Sequence, residues 1–362
     1  MTYAAASRSR AVPPLTANNY GFHVTLHSSR IPRVLHFLHA TPYAISDSTE
    51  MPDMTLKHTR IEVNNAVFSL PYHVAKEEGY FADEGYDVEL VPAGSGRDRD
   101  KEVPEKPIED HRSVKSYGWH EGIEKGEFCM YRACEWGQIR RTQDSGANAK
   151  VISKRAAIAT QAIVVRADSP YNVPADLRGK TVAVNFHAGS HYITLAMLGG
   201  SMNDKSDVRP VHVGGPKQRL RFLEEGKVEA AAVMEPWITV AAKKGLKIVS
   251  EAFYEGAEVA TPDLDPHMYA AISRAISRAV KKINEDIRPY LKYMIREVPP
   301  DIVKLSEQDF YPPRFRYVEP RPYTRQEYEY LHDWMTSWGL LEAESGYDKI
   351  VDPQRALAAS GF

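Results

Sequence analysis

Thr181-Val182-Ala183-Val184-Asn185-Phe186-His187-Ala188-Gly189-Ser190 is the stretch on which the fold turns. Its first four residues carry no charge and read as a short buried strand. Polar and small residues then break the run, and residues 191–198 continue as a helix. A strand that passes through a loop into a helix is the building unit of α/β sheets. Such loops favour ligands, because the first turn of a helix has unsatisfied N–H groups.

The same unit recurs on both sides. Upstream, residues 60–63 alternate as a strand. Residues 69–78 place Leu70, His73, Val74 and Glu77 at helical spacing, 79–85 form a turn and 87–91 form a strand. Residues 151–153 and 161–165 are further strands, and 174–180 form a turn with one helical turn. Downstream, strands at 210–213, 228–233 and 247–249 alternate with helices at 216–225 and 236–243. This alternation predicts an α/β sheet covered by helices on both faces. After residue 268 the pattern becomes helical. Residues 269–293 carry Ile272, Ile276, Val280 and Ile283 on one stripe, and 325–338 form a second amphipathic helix. Residues 93–113 read as a long exposed loop.

The chain has 362 residues, 43% apolar and 26% charged, with a net charge of −2. That length suits about two domains or lobes. The charge balance gives no reason to expect nucleic acid or an anionic membrane as partner. No stretch approaches the roughly 18 apolar residues of a membrane span. Residues 1–53 differ from the rest and are expected to form a weakly ordered leader. Their apolar run is too short and polar for a secretory signal, and an organellar address is the alternative. Cys129 and Cys134 are spaced for neither a redox pair nor a zinc knuckle, so reduced thiols in a cytoplasmic protein are expected.

Both cysteines fall in Gly126-Glu127-Phe128-Cys129-Met130-Tyr131-Arg132-Ala133-Cys134-Glu135-Trp136. Arginine and glutamate are poor core residues, so this segment reads as a site, with a core strand as the alternative. Metal binding is not expected, since no paired-histidine or paired-cysteine spacing occurs. Asp263, Asp265 and His267 alternate, which would put three ligands on one face of an extended strand, but a polar connector is the preferred reading.

Four ordered segments resemble a known family. Tyr72, Glu78-Gly79-Tyr80-Phe81 and Glu84-Gly85-Tyr86-Asp87-Val88-Glu89 are similar to the opening of the sulfonate, nitrate and thiamine-pyrimidine solute-binding proteins. Asp176-Leu177-Arg178-Gly179-Lys180-Thr181-Val182-Ala183-Val184, Gly189-Ser190-His191-Tyr192, and residues 225–237 ending in Met234-Glu235-Pro236-Trp237 follow in order. The resemblance covers roughly residues 59–345. It implies the type 2 periplasmic-binding-protein fold, with two α/β lobes, two crossovers and a ligand cleft between them. The implied division is 54–158 for the first lobe, 159–252 for the second and 253–362 for the return, with C-terminal helices.

By position, the family's ligand loops fall on Asn64, Asn65, Phe68 and Tyr72, then on Cys129, Tyr131, Arg132 and Glu135. They continue at Gly189, Ser190 and His191, and end at Glu235 and Trp237. Plainer roles compete: turn-shaping for the asparagines, a helix cap for Ser190, lobe closure for Trp237 and a satisfied histidine at position 191. The second loop departs from the small residues usual there. Cys129, His120 and Arg132 look like the reactive set of an enzyme, and relatives on this scaffold include desulfinases and a pyrimidine synthase. The expected function is therefore a small-molecule metabolic enzyme breaking a C–S or C–C bond of an anionic or aromatic ligand, with no cofactor specified. The alternative is the substrate-binding protein of an ABC importer, with its permease as partner.

Overall fold

A computed structural model describes residues 55–93, 103–116, 121–341 and 345–354. The expectations for residues 1–53 and for His120 lie outside the described residues.

The described residues begin with strand β1 (Lys57–Val63), helix α1 (Ala66–Glu77), the single turn α2 (Tyr80–Asp83) and strand β2 (Tyr86–Pro92). After the short α3 (Glu121–Glu124) come β3 (Met130–Cys134), α4 (Glu135–Asp144), β4 (Lys150–Lys154) and β5 (Ala157–Val165). Next are β6 (Thr181–Val184), α5 (Gly189–Gly199), β7 (Arg209–His212), α6 (Pro216–Glu224), β8 (Ala230–Met234) and α7 (Trp237–Lys243). The chain then forms β9 (Lys247–Tyr254), β10 (Gly256–Ala260), α8 (Pro266–Glu285) and α9 (Lys292–Glu297). The short strands β11 (Arg316–Tyr317) and β12 (Arg321–Pro322) precede α10 (Arg325–Ser337) and α11 (Tyr347–Ile350).

These strands make two larger sheets and one separate parallel pair. The first is ordered β12-β4-β10-β3, with the parallel pair β1-β2 beside β3. The second is ordered β11-β5-β8-β6-β7, with β9 also paired to β5. Strands β5, β6 and β8 are apolar nearly throughout and almost wholly buried, as expected of strands covered on both faces. The chain passes from the first sheet to the second at Arg155-Ala156 and returns at Glu255. Arg155 N donates to Gly256 O at 2.9 Å, so the two crossovers are bonded to each other. This is the type 2 periplasmic-binding-protein architecture.

Most expected elements occur, with instructive departures. The turn at 79–85 contains α2, bracketed by Gly79 and Gly85, both at positive φ. The helix expected to reach residue 293 stops at Glu285, and Pro289 lies in a separate 3-10 turn, since proline cannot continue an interior helix. Asp263, Asp265 and His267 do not share an extended face. Asp265 instead caps α8 by accepting from His267 N at 2.9 Å.

Arg132 and Glu258, expected ligand residue and unremarked strand residue, sit directly opposite each other on β3 and β10. Both are buried, with Arg132 Nε 3.6 Å from Glu258 Oε1. Tyr72 and Tyr269 hydroxyls donate to the same carboxylate at 2.8 and 3.0 Å, as does Ser153 Oγ at 2.9 Å. Arg132→Ala would leave that carboxylate buried without its cation. Chemical denaturation is expected to show a loss of about 3–5 kcal/mol, with a smaller loss for Arg132→Met combined with Glu258→Leu.

Candidate functional site

A cavity of about 580 Å³ lies between the two sheets. The loop after β1 brings Asn64, Asn65 and Phe68 to it, β3 brings Tyr131, Ala133 and Cys134, and the first crossover brings Arg155. The second sheet contributes Gln161, the loop from Asn185 to Ser190, the segment from His212 to Arg219, and Trp237 and Tyr254.

Seven expected site residues line this cavity: Asn64, Asn65, Phe68, Tyr131, Gly189, Ser190 and Trp237. Several are committed to local structure. Asn64 Nδ2 donates to Arg132 O at 3.0 Å, and its Oδ1 accepts from Ser69 Oγ at 2.9 Å. Ser190 Oγ accepts from Asn185 N at 2.9 Å, so it shapes the loop before α5. Asn65 Nδ2, Ala66 N and Trp237 Nε1 all donate to Glu297, at 2.8, 2.7 and 3.4 Å. A carboxylate of the protein itself therefore occupies the N-terminal end of α1, at one of the expected ligand loops.

Six expected residues lie elsewhere. Cys129 packs against the cluster of Met130, Ile152, Ala260, Leu264 and Tyr269, and burial together with Asp263 pushes its thiol up, opposite to what a reactive thiolate needs. Arg132 lies over the Tyr72 ring at 3.8 Å, and its Nη1 donates to Glu62 O at 2.6 Å, so both residues belong to the core of the first sheet. Glu135 is buried against Lys154 and accepts from Tyr323 OH at 3.3 Å. Glu235 accepts from Thr239 N and Oγ1 at 3.2 and 2.8 Å, and Arg314 Nη1 donates to it at 3.4 Å. Burial raises both carboxyls despite these partners. His191 is buried beside Phe186 in a group of histidines. Trp136, at the end of the same segment as the two cysteines, is core, packed against Tyr192, Tyr254 and Trp334.

The strongest features of the cavity were missed in the sequence. Arg155 is 2% exposed, and its Nη1 and Nη2 are buried without hydrogen-bond partners, although Nε donates to Ala157 O at 3.0 Å. Its guanidinium lies 4.7 Å from the Phe68 ring. Arg219 is also 2% exposed, and its Nε is unpartnered while Nη1 donates to Ala232 O. Among the described residues neither cation has a carboxylate in ion-pair contact. Burial lowers both, Arg219 to about 9, and the nearby Tyr254 opposes this in each case. Gln161 Nε2 is likewise buried and unpartnered. An unpaired buried cation is costly, so a cavity holding two has the electrostatics of a site for an anion. Arg219 was detectable: it sits three and four residues before Phe222 and Leu223, on the apolar face of its helix. Arg155, between two strands, gave no such pattern.

Gly189 opens α5 where a Cβ would meet the Tyr254 hydroxyl and lie 2.6 Å from its Cζ. The absent side chain lets this phenol reach the helix end, close to both arginines. Gly137 similarly lets α4 approach the loop of the second sheet, where a Cβ would fall 2.8 Å from His187 O.

With this geometry in place, the comparisons are consistent. The sequence profile of a family described as the ABC transporter, phosphonate, periplasmic substrate-binding protein matches residues 117–294. The alkanesulfonate-binding protein SsuA from Xanthomonas axonopodis pv. citri, bound to MOPS, is 17% identical, with a TM-score of 0.59 over 79% of this chain and 94% of that one. The periplasmic nitrate-binding protein NrtA from Synechocystis PCC 6803 is 15% identical, with a TM-score of 0.58 over 84% and 89%. The ligand-binding component of an ABC-type import system from Staphylococcus aureus, with zinc bound, is 15% identical, with a TM-score of 0.61 over 84% and 99%. No curated protein matches the chain in sequence. The chain thus has the solute-binding fold shared by the sulfonate- and nitrate-binding proteins.

Two expectations are corrected here. The enzyme reading is overturned by the match to a substrate-binding family, and the separation of Cys129 from Arg132 and the cleft removes the reactive set on which it rested. The cytoplasmic assignment is overturned by the same profile, which is that of a periplasmic protein. Among the described residues no helix is long and apolar enough to cross a membrane.

Gly189→Ala tests the close approach at α5. The added methyl must displace Tyr254, and urea denaturation is expected to show a loss of about 1–3 kcal/mol.

Proposed function

We propose that the chain is a periplasmic substrate-binding receptor that closes on a small organic anion and presents it to the permease of an ABC importer. The observation that carries this reading is the pair of buried guanidiniums, Arg155 and Arg219, facing one cavity with no carboxylate in contact. An oxyanion supplies the missing charge and accepts charge-assisted hydrogen bonds from both. Gln161, the Tyr254 hydroxyl and the first turn of α5 add donors around the same place. The cavity falls within the roughly 300–1,000 Å³ typical of small-molecule sites. It therefore suits an anionic head with an organic tail, the tail lying against Phe68, Tyr131, Phe186 and Trp237.

The two arginines sit on different parts of the scaffold. Arg155 belongs to a crossover between the sheets, and Arg219 to α6 of the second sheet. One anion held by both joins the hinge to the second lobe, which favours the closed form. A receptor needs capture and release rather than covalent chemistry. The raised cysteine thiols suit that role.

Titration calorimetry with alkanesulfonates and alkylphosphonates tests the reading. Arg155→Met and Arg219→Met are each expected to weaken binding at least tenfold, about 1.4 kcal/mol. The same variants should unfold within about 1 kcal/mol of the wild type or above it, because an unpaired buried charge has been removed. Binding left intact by both substitutions would exclude the cleft as the anion site. Saturating ligand at about 100 times Kd should stabilise the wild type by about 2.7 kcal/mol.

A further inference from the structure

The loop between β6 and α5 hangs on two imidazole nitrogens. Phe186 N donates to His212 Nδ1 at 3.0 Å, and His187 N donates to His191 Nδ1 at 3.4 Å. A backbone amide only donates, so both Nδ1 atoms must carry their lone pair and both rings must be neutral. Protonating either ring at that nitrogen replaces an acceptor with an N–H pointed at another N–H. The same loop supplies Asn185, Phe186, Ala188, Gly189 and Ser190 to the cavity. His187 holds a left-handed φ of 60°, and its carbonyl accepts from Arg141 Nη2 at 2.7 Å.

We propose that His191 and His212 are positioning residues that hold the ligand loop by accepting from its amides, so that acidification from about pH 7.5 to about 5 releases the loop and weakens anion binding. The second half of this statement rests on the reading of the cleft as an anion site.

The surroundings leave a new proton poorly compensated. His212 faces Arg219 and His187, and His191 faces His187, His111 and His212. His187, whose Nε2 lies 2.8 Å from His111 O, faces Arg140 and Arg141. His111 faces Arg112 and Arg140, with Asp110 opposing them. Glu109, Lys205 and Arg209 share the groove lined by His111 and His191. The rings of His111, His187 and His191 are mutually 5.8, 5.9 and 6.1 Å apart, so a charge on one repels a charge on the next. Burial lowers His187 and His212 to about 4 and His191 well below its ordinary value. A histidine held low in the closed loop and ordinary in the open one stabilises the closed loop above about pH 6.5. That stabilisation is lost as pH falls toward 4. For His212 alone, the opening equilibrium rises about thirtyfold between about pH 7.5 and 5.

Charge alone predicts the opposite sign. His212 lines the cavity, and a cationic imidazole there attracts an anion. The test uses the full chain at about pH 7.5 and about pH 5. Amide exchange is read as protection factors for residues 185–191 without ligand, with β5 as internal reference. Affinity is measured for 1-hexanesulfonate, a monoanion at both values. Loop protection is expected to fall at least tenfold while β5 keeps its protection, and affinity is expected to fall in parallel. In His191→Gln with His212→Gln, whose side-chain oxygens accept without titrating, the acid loss of loop protection should shrink at least tenfold, leaving only the part that His187 contributes. Unchanged wild-type protection at the lower pH overturns the positioning role, and affinity that rises on acidification overturns the coupling to binding. If 1-hexanesulfonate binds at neither pH, the cleft reading is at fault, and loop exchange still decides the role of the histidines.

Discussion

The seam at Arg155 and Gly256 is the constraint on which the rest of the molecule depends. Both crossovers between the sheets pass through it, tied by one backbone hydrogen bond. Gly256 has no Cβ because the Arg155 guanidinium and Ala133 O fill that space. The arginine is therefore held against the seam by packing, with its Nε on Ala157 O and its face near Phe68. Its two terminal nitrogens are left at the floor of the cavity. The place where the chain changes sheet is thus also the place where an unpaired charge enters the cleft.

Charges elsewhere in the first sheet are handled differently. Arg132 has Glu258 across the strand pair, and Lys154 has Glu135 and Glu255. These buried charges have carboxylate counter-ions within the protein, although Arg132 Nε and Nη2 donate no hydrogen bond of their own, and the ion pairs offset part of their desolvation. Arg155 and Arg219 lack such partners, and that difference separates structural charge from binding charge. Residue type alone does not make this distinction. Arg132 lies in β3 and Arg155 just after β4, and only the register of β3 against β10 assigns the acid to the first.

Glu297 shows how a general rule is redirected by one long-range contact. Helix N-termini favour anions, and the start of α1 was a reasonable place to expect the ligand. The carboxylate that takes the Ala66 amide comes from α9, more than two hundred residues later, and also accepts from Trp237 of the second lobe. On the proposed reading of the cleft, the anionic pole of a ligand is then directed toward Arg155, Arg219 and α5.

Much was legible from the sequence because it depends on local period. The strand run Thr181-Val182-Ala183-Val184, the helix stripe Ile272, Ile276, Val280 and Ile283, and the loop ending at Gly189-Ser190 each reflect neighbouring residues, and each forms as expected. The loops that reach the cavity were visible for the same reason, since ligand loops follow strands in this architecture. The partners of particular side chains were not visible. Cys129 precedes β3 and packs against the cluster of Met130 and Tyr269 instead of lining the cleft, and His191 turns to other histidines because α5 presents it there. Glu258 and Arg132 meet only through antiparallel pairing of distant strands. The sequence by itself determined the order of strands and helices and the loops at their ends, since backbone preference and hydrophobic period are local. Only the tertiary structure decided which buried charges find partners and which are left facing the cavity, because that depends on residues brought together from far apart in the chain.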